Sequence, residues 1–169
     1  MQMKEKIPDL IGENIGRLDV VEKVTGSAVY ADDIQFGKDL LYARIKRSPH
    51  PHARILSIDT SKAAALPGVK VVVTGEDFPN HIGLYLKDKY IMARDRVRFV
   101  GEPVAAVAAV NEEIAGQAVD LIDVQYKILA PVFDAEFGAS PEAPLIHPDL
   151  ENYEAPNFIF PQPGTNIAN

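Results

Sequence analysis

The sequence predicts a fold that mixes strands and helices, with two principal helices packed on a sheet. Three observations predict it. Val104 to Val110 is apolar at every position and carries no charge, which reads as a short strand covered on both faces. Residues 40–74 follow a strand, strand, helix, strand pattern with short connections. Residues 104–127 then repeat the helix-to-strand step, without any repeat in the sequence itself.

Along the chain, residues 1–16 have no sustained period and read as an irregular N-terminal arm. Arg17 to Gly26 mixes apolar pairs with charges and closes on a turn glycine. Ala28-Val29-Tyr30 is a short strand candidate, ended by Ala31-Asp32-Asp33. The adjacent aspartates have the composition of a metal or acid/base pair. Neighbours in extended chain point apart, however, and aspartate-rich turns form for local hydrogen-bonding reasons, so the structural reading is preferred.

Leu40 to Arg47 reads as a strand, interrupted by Ser48-Pro49-His50-Pro51-His52-Ala53-Arg54 and resumed at Ile55 to Asp59. Thr60 or Ser61 is placed to cap a helix over roughly 60–66, which must stop at Pro67-Gly68. Val69 to Thr74 is the next strand. Residues 81–96 carry a weak signal and suit a long loop or hairpin. After the central strand, Asn111 is a good N-cap, and Glu112 and Glu113 favour the positive end of a helix. Ile114, Ala115, Ala118, Val119 and Ile122 give that helix, over 112–122, one apolar face. Asp123 to Lys127 returns as an alternating strand.

Charge divides the chain. The net charge is -7, and residues 1–127 hold all 17 Lys and Arg against 18 acids. Residues 128–169 hold six acids, no Lys or Arg, and seven of the 13 prolines. A basic surface for nucleic acid is not indicated. The tail, 135–169, is expected to lack regular structure and to be ordered mainly against another copy or parts outside this chain. No stretch is long and apolar enough to span a bilayer, and Met1 to Lys6 has no secretory character. The chain has no cysteine, which removes disulfides and thiolate ligation and fits a cytoplasmic protein.

Candidate chemistry is sparse. His50 and His52 would share one face of a strand and could serve zinc with a third ligand. Two prolines fill the same segment and only His81 and His147 remain, so the pair is read as structural and expected not to bind metal. Glu102, between Gly101 and Pro103, either holds a working carboxylate at a tight corner or satisfies nearby donors; the second reading is preferred. No Walker loop, GxGxxG, His-Glu-x-x-His or Ser-His-Asp spacing occurs. A carrier role fails because Met92-Ala93-Arg94 lacks the lysine such a domain modifies.

Taken in order, several blocks resemble the N-terminal part of the large subunit of molybdenum hydroxylases, the xanthine dehydrogenase and aldehyde oxidase family. They are Arg17-Leu18-Asp19 with Lys23-Val24-Thr25-Gly26, Ala28 to Asp33, and Ser48 to Ile55 running into Ile58-Asp59. Leu66-Pro67-Gly68-Val69, Val73 to Asp77, Val97 to Val110 and Ala143 to His147 complete the series. The resemblance implies an α/β-hammerhead domain, classed as α+β with a mixed sheet, over residues 17–134. Residues 135–169 would lead toward a molybdopterin-binding region that this chain lacks. It further implies an oxidoreductase in which molybdenum-molybdopterin hydroxylates the substrate and electrons leave through iron–sulfur centres to FAD on partner subunits or domains. The family's cofactor-binding segments and catalytic glutamate lie beyond the hammerhead. No catalytic, cofactor-binding or metal-ligating residue is therefore assigned to this chain, and alone it is expected to be inactive. It would scaffold the cofactor domain, contact the electron-transfer partner, and have no nucleic-acid or membrane partner; a homo-oligomer is compatible. The alternative is a stand-alone protein-interaction module of the same fold without a redox role.

Overall fold

The computed structural model describes residues 12, 16–34 and 36–169. The N-terminal arm expected over 1–16 lies almost entirely outside the described residues. The chain divides into two units, Met1–Lys38 and Asp39–Asn169. In the first, helix α1 spans Val20–Thr25 and ends at Gly26, whose φ of 74° lets its N–H reach back to Glu22 and Lys23. Asp19 is paired with Arg17 and Lys23, which hold its carboxyl below the usual range. Ala28 to Tyr30 is extended but pairs with no described strand, contrary to the strand expected there. Tyr30 N–H donates to Asp33 Oδ2 at 2.9 Å, closing a 3-10 turn over Ala31–Asp33. Asp33 is thus a turn residue, as expected.

The second unit begins with strands β1 (Tyr42–Arg47) and β2 (Ala53–Asp59). Helix α2 (Ser61–Ala64) and strand β3 (Val69–Thr74) follow. Next come β4 (His81–Ile82), β5 (Lys89–Tyr90) and β6 (Arg96–Val97). Strand β7 (Pro103–Ala109), helix α3 (Glu112–Leu121), β8 (Asp123–Ile128) and α4 (Ala135–Ala139) complete the order. Strand β7 is central in a three-stranded sheet, β1-β7-β3, and β2 is central in a second, β6-β2-β8. Strands β4 and β5 form the hairpin expected within 81–96.

Every strand pairing described is antiparallel, so the mixed sheet of the sequence reading is replaced by three small antiparallel ones. The reason is that each helix-to-strand step crosses between sheets. Helix α2 joins β2 to β3, and α3 joins β7 to β8, so neither is a crossover within one sheet. The α+β class stands, because antiparallel sheets with helices on one side are its pattern.

Helix α3 matches its expectation. Asn111 Oδ1 accepts the N–H of Ile114 at 2.8 Å, and Ala115, Ala118 and Ile122 are buried. Helix α2 is a single turn rather than a second principal helix. Its start is held by Asp59, whose Oδ1 accepts the N–H of Ser61 at 2.9 Å, and Thr60 makes no side-chain cap. Pro67-Gly68 then halts it; Gly68 has φ 95°, and a Cβ there would lie 2.7 Å from Ile114 Cδ1.

The core has two centres. Ala63, Ala105, Val107, Ala118 and Ile122 join α2, β7 and α3. Ala53, Ala93, Val97 and Val104 join β2, β6 and the start of β7. Ile58 and Val124 touch both, and so tie the two sheets together. Small residues at 63, 105 and 118 let the helices approach the sheet closely.

Candidate functional site

Several polar groups of this unit meet at the corner between β6 and β7. Proline can start a strand but cannot extend one inward, so Pro103 marks where β7 begins. Gly101 supplies the positive φ of 91° that turns the chain. The Glu102 carboxylate accepts the N–H of Arg98 across this turn, and Glu102 N–H donates to Phe99 O at 3.3 Å. Gly101 N–H donates to Ser48 O at 2.8 Å, Ser48 N–H to Glu102 O at 2.9 Å, and Arg47 Nη1 to Gly101 O at 2.8 Å. Burial pushes the Glu102 carboxyl up, while the Arg98 N–H and charge oppose the shift. Glu102 is half-buried and committed to its own turn, which is the structural reading preferred from sequence.

His50 and His52 lie in a turn before β2, not on a strand. Ser48 Oγ bonds both the N–H and the carbonyl of His50, at 3.0 and 2.9 Å, and shapes that turn. The His50 ring stands edge-on to Tyr126 with centroids 5.0 Å apart. His52 is only 2% exposed; its Nδ1 lies 2.6 Å from Ala130 O, and its Nε2 lies 3.4 Å from Arg96 Nη1. With Nδ1 donating to the carbonyl, Nε2 is left to accept from the guanidinium. Among the described residues, no three His, Asp or Glu side chains group as metal ligands.

Arg96 and Arg98 form the site that sequence reasoning did not single out. They alternate at the end of a short strand, so both guanidinium groups lean toward the tail. Arg96 Nη1 donates to Leu145 O and Arg98 Nε to Ile146 O, each at 3.2 Å. From the tail side, Asn166 Oδ1 accepts Ile146 N–H at 2.8 Å, and its Nδ2 donates to Gly138 O and Pro144 O at 3.0 Å. Leu150 is buried, and Lys87 pairs with Glu154. These bonds tie the tail to its own unit, and helix α4 within it departs from the expectation that the tail lacks regular structure. Prolines remove backbone donors, but carbonyls remain for arginine and asparagine to capture.

Under this seam His147 Nδ1 lies 3.2 Å from Tyr153 Oη, and the two rings stand edge-on. Tyr153 also stands edge-on to His81, which stacks on Tyr90 at 4.1 Å. Burial, with the Arg98 charge second, lowers His147 to about 4. Burial raises Tyr153. Beside the seam, Ala139, Ser140, Pro141, Leu145, Thr165 and Asn166 help line a cavity of about 320 Å³. Its lining has no cationic side chain. Two smaller concavities hold Lys87 and Arg94, each paired with a carboxylate of the same wall, Glu154 and Glu76. The arrangement fastens a tail; it does not align a nucleophile, a base and an anion hole.

The description "Aldehyde oxidase and xanthine dehydrogenase, a/b hammerhead domain" belongs to the family whose profile matches residues 25–130. The chain is a member of that family. Its hammerhead is 43% identical over 129 residues to a probable xanthine dehydrogenase subunit of Bacillus subtilis, covering 75% of this chain and 17% of that one. It is 39% identical over 153 residues to the nicotinate dehydrogenase large molybdopterin subunit of Eubacterium barkeri, covering 89% of this chain and 36% of that one. Among solved structures, reconstituted CO dehydrogenase from Oligotropha carboxidovorans superposes with a TM-score of 0.73 at 35% identity, over 79% of this chain and 17% of that one. The hammerhead chain thus spans well under half the length of these relatives. No helix among its described residues is long and apolar enough to cross a membrane.

Proposed function

We propose that this hammerhead domain is the scaffold part of a cytoplasmic molybdopterin-dependent hydroxylase or dehydrogenase. In this reading residues 17–134 are the body, and 135–169 lead toward the cofactor-bearing region. The observation that supports it is the match to subunits of such enzymes by a chain whose Arg96, Arg98 and Glu102 side chains bond its own tail and turn. Bound in the complete enzyme, the molybdenum cofactor would supply the oxidative hydroxylation chemistry. The residues present do not fit that group. Lys87 and Arg94, which line two concavities, are paired with Glu154 and Glu76, and the cavity beside the tail has no cation to meet a phosphate. Without cysteine the chain offers no thiolate for an iron–sulfur centre. Cofactor binding and turnover therefore belong to the remainder of the large subunit. Iron–sulfur and FAD partners would receive the electrons.

The test is metal analysis of the purified chain from molybdate-supplied cells, alone and co-expressed with the polypeptide encoded beside it. Dye-linked oxidation of aldehydes and purines is followed in parallel. The expected result is molybdenum and turnover only in the co-expressed complex. Stoichiometric molybdenum on the chain alone would place a site within these residues. A chain that associates with no molybdenum-containing protein would instead support a stand-alone interaction module.

A further inference from the structure

The strand β7 has no polar residue, yet among the described residues of its unit only one of its faces is filled. Register fixes which residues share each face. Ala105 and Val107 lie opposite Lys46 and Arg44 on β1, and opposite Thr74 and Val72 on β3. That face meets helix α3: Arg44 pairs with Glu112, Lys46 Nζ donates to Val119 O at 3.2 Å, and Val72 packs on the core. Side chains alternate, so the intervening residues point the other way. These are Ala106 and Ala108, flanked by Ala43 and Ile45 on β1 and by Val71 and Val73 on β3.

This second face is apolar throughout. Val104, at its lower end, is covered by Ala53, Ala93 and Val97, and that cover stops there. Beyond it Ile45 is 43% and Val71 45% exposed, with Ala43 exposed as well. The middle strand carries alanine and the outer strands carry isoleucine and valine, which makes a shallow trough along β7. Solvated antiparallel faces alternate to polar residues, and this one does not.

We infer that this trough is the docking surface for the molybdopterin-bearing remainder of the same large subunit. The inference rests on the function proposed above. Two observations choose that occupant. The relatives and superposed enzymes are several times longer, so most of their chain has no counterpart here and has surface to pack against this domain. The face also lacks any charged residue. Permanent interfaces resemble a core cut in half, whereas separable electron-transfer contacts are small and more polar. Small residues along the centre admit a helix or sheet at close range, as α3 approaches the opposite face.

The test co-expresses the tagged chain with the molybdopterin-bearing polypeptide of the same enzyme and weighs the complex captured by the tag. Ile45→Glu and Val71→Glu each place a carboxylate in the trough, and Leu56→Glu, on β2 and 61% exposed, is the control. Circular dichroism and thermal unfolding of each chain alone report folding. The expected result is three chains that fold like wild type, with capture reduced about tenfold or more for the first two and unchanged for the third. Full capture by Ile45→Glu and Val71→Glu would overturn the docking surface while leaving the proposed function intact. No capture by wild type would overturn both. A wild-type dimer in analytical ultracentrifugation, split by Ile45→Glu, would assign the trough to a second copy and overturn this occupant.

Discussion

Replacing His52 with alanine should destabilise the domain by about 2–5 kcal/mol, and the figure follows from what the ring touches. The side chain is 2% exposed and occupies the junction between the turn before β2 and the exit from β8. Its Nδ1 holds Ala130 O at 2.6 Å, while its own carbonyl accepts Leu129 N–H at 2.9 Å. Deleting the ring leaves the Ala130 carbonyl and Arg96 Nη1 without this partner, at about 1–3 kcal/mol. Lost packing around the enclosed imidazole adds about 1–2 kcal/mol. For a domain of this size the sum lowers Tm by roughly 4–20 °C. Thermal and urea unfolding followed by circular dichroism give the measurement. His52→Phe retains the volume and should recover the packing part only. If His52→Ala unfolds within about 1 kcal/mol of wild type, the turn is not clamped by this ring and the structural account of the pair is wrong.

Two further outcomes are expected. His147 is lowered from 6.5 to about 4 in the folded chain, so the unfolded state binds more protons between those values. Its contribution is complete above about pH 6.5 and is lost as the pH falls through 4; solvent screening of this partly exposed ring brings it to about 1–2 kcal/mol. The raised Glu102 acts in the opposite direction over the acid side of that range, so comparison of wild type with His147→Gln isolates the histidine. Urea unfolding from pH 4 to 7 should show a flatter profile for the variant, and parallel profiles would refute the assignment. Asn111→Ala removes the acceptor for Ile114 N–H at 2.8 Å and should cost about 1 kcal/mol, with Asn111→Asp close to neutral. Equal losses in both variants would show that the cap bond is not the cause.

The function was legible as a family likeness and illegible as chemistry. Blocks such as Ser48 to Ile55 and Val97 to Val110 carry the family pattern in order, because turns and buried strands constrain residue type locally. Motif reasoning looked at histidines and missed Arg96 and Arg98. Their partners are backbone carbonyls 49 and 48 residues away, which carry no residue-type signal. The alternating Arg-x-Arg, in a chain whose tail has no Lys or Arg of its own, was the only trace.

Local physics determined the parts that the sequence states on its own. A capped, one-faced apolar period makes α3, an uninterrupted apolar run makes β7, and Pro67-Gly68 ends whatever precedes it. These depend on neighbours a few residues apart. Tertiary structure alone decided how the pieces combine. It placed β7 and β8 in different sheets, because α3 passes from one to the other instead of folding back on the first. It set a single-turn helix, Ser61–Ala64, against α3, with Gly68 too close to Ile114 to carry a side chain. It also fastened the proline-rich tail to the body through Asn166 and two arginines. Finally, among the described residues of the second unit, it covered one face of an apolar strand and left the other open. A sequence run records that both faces are apolar; only the register and the path of the chain decide which of them this chain can fill.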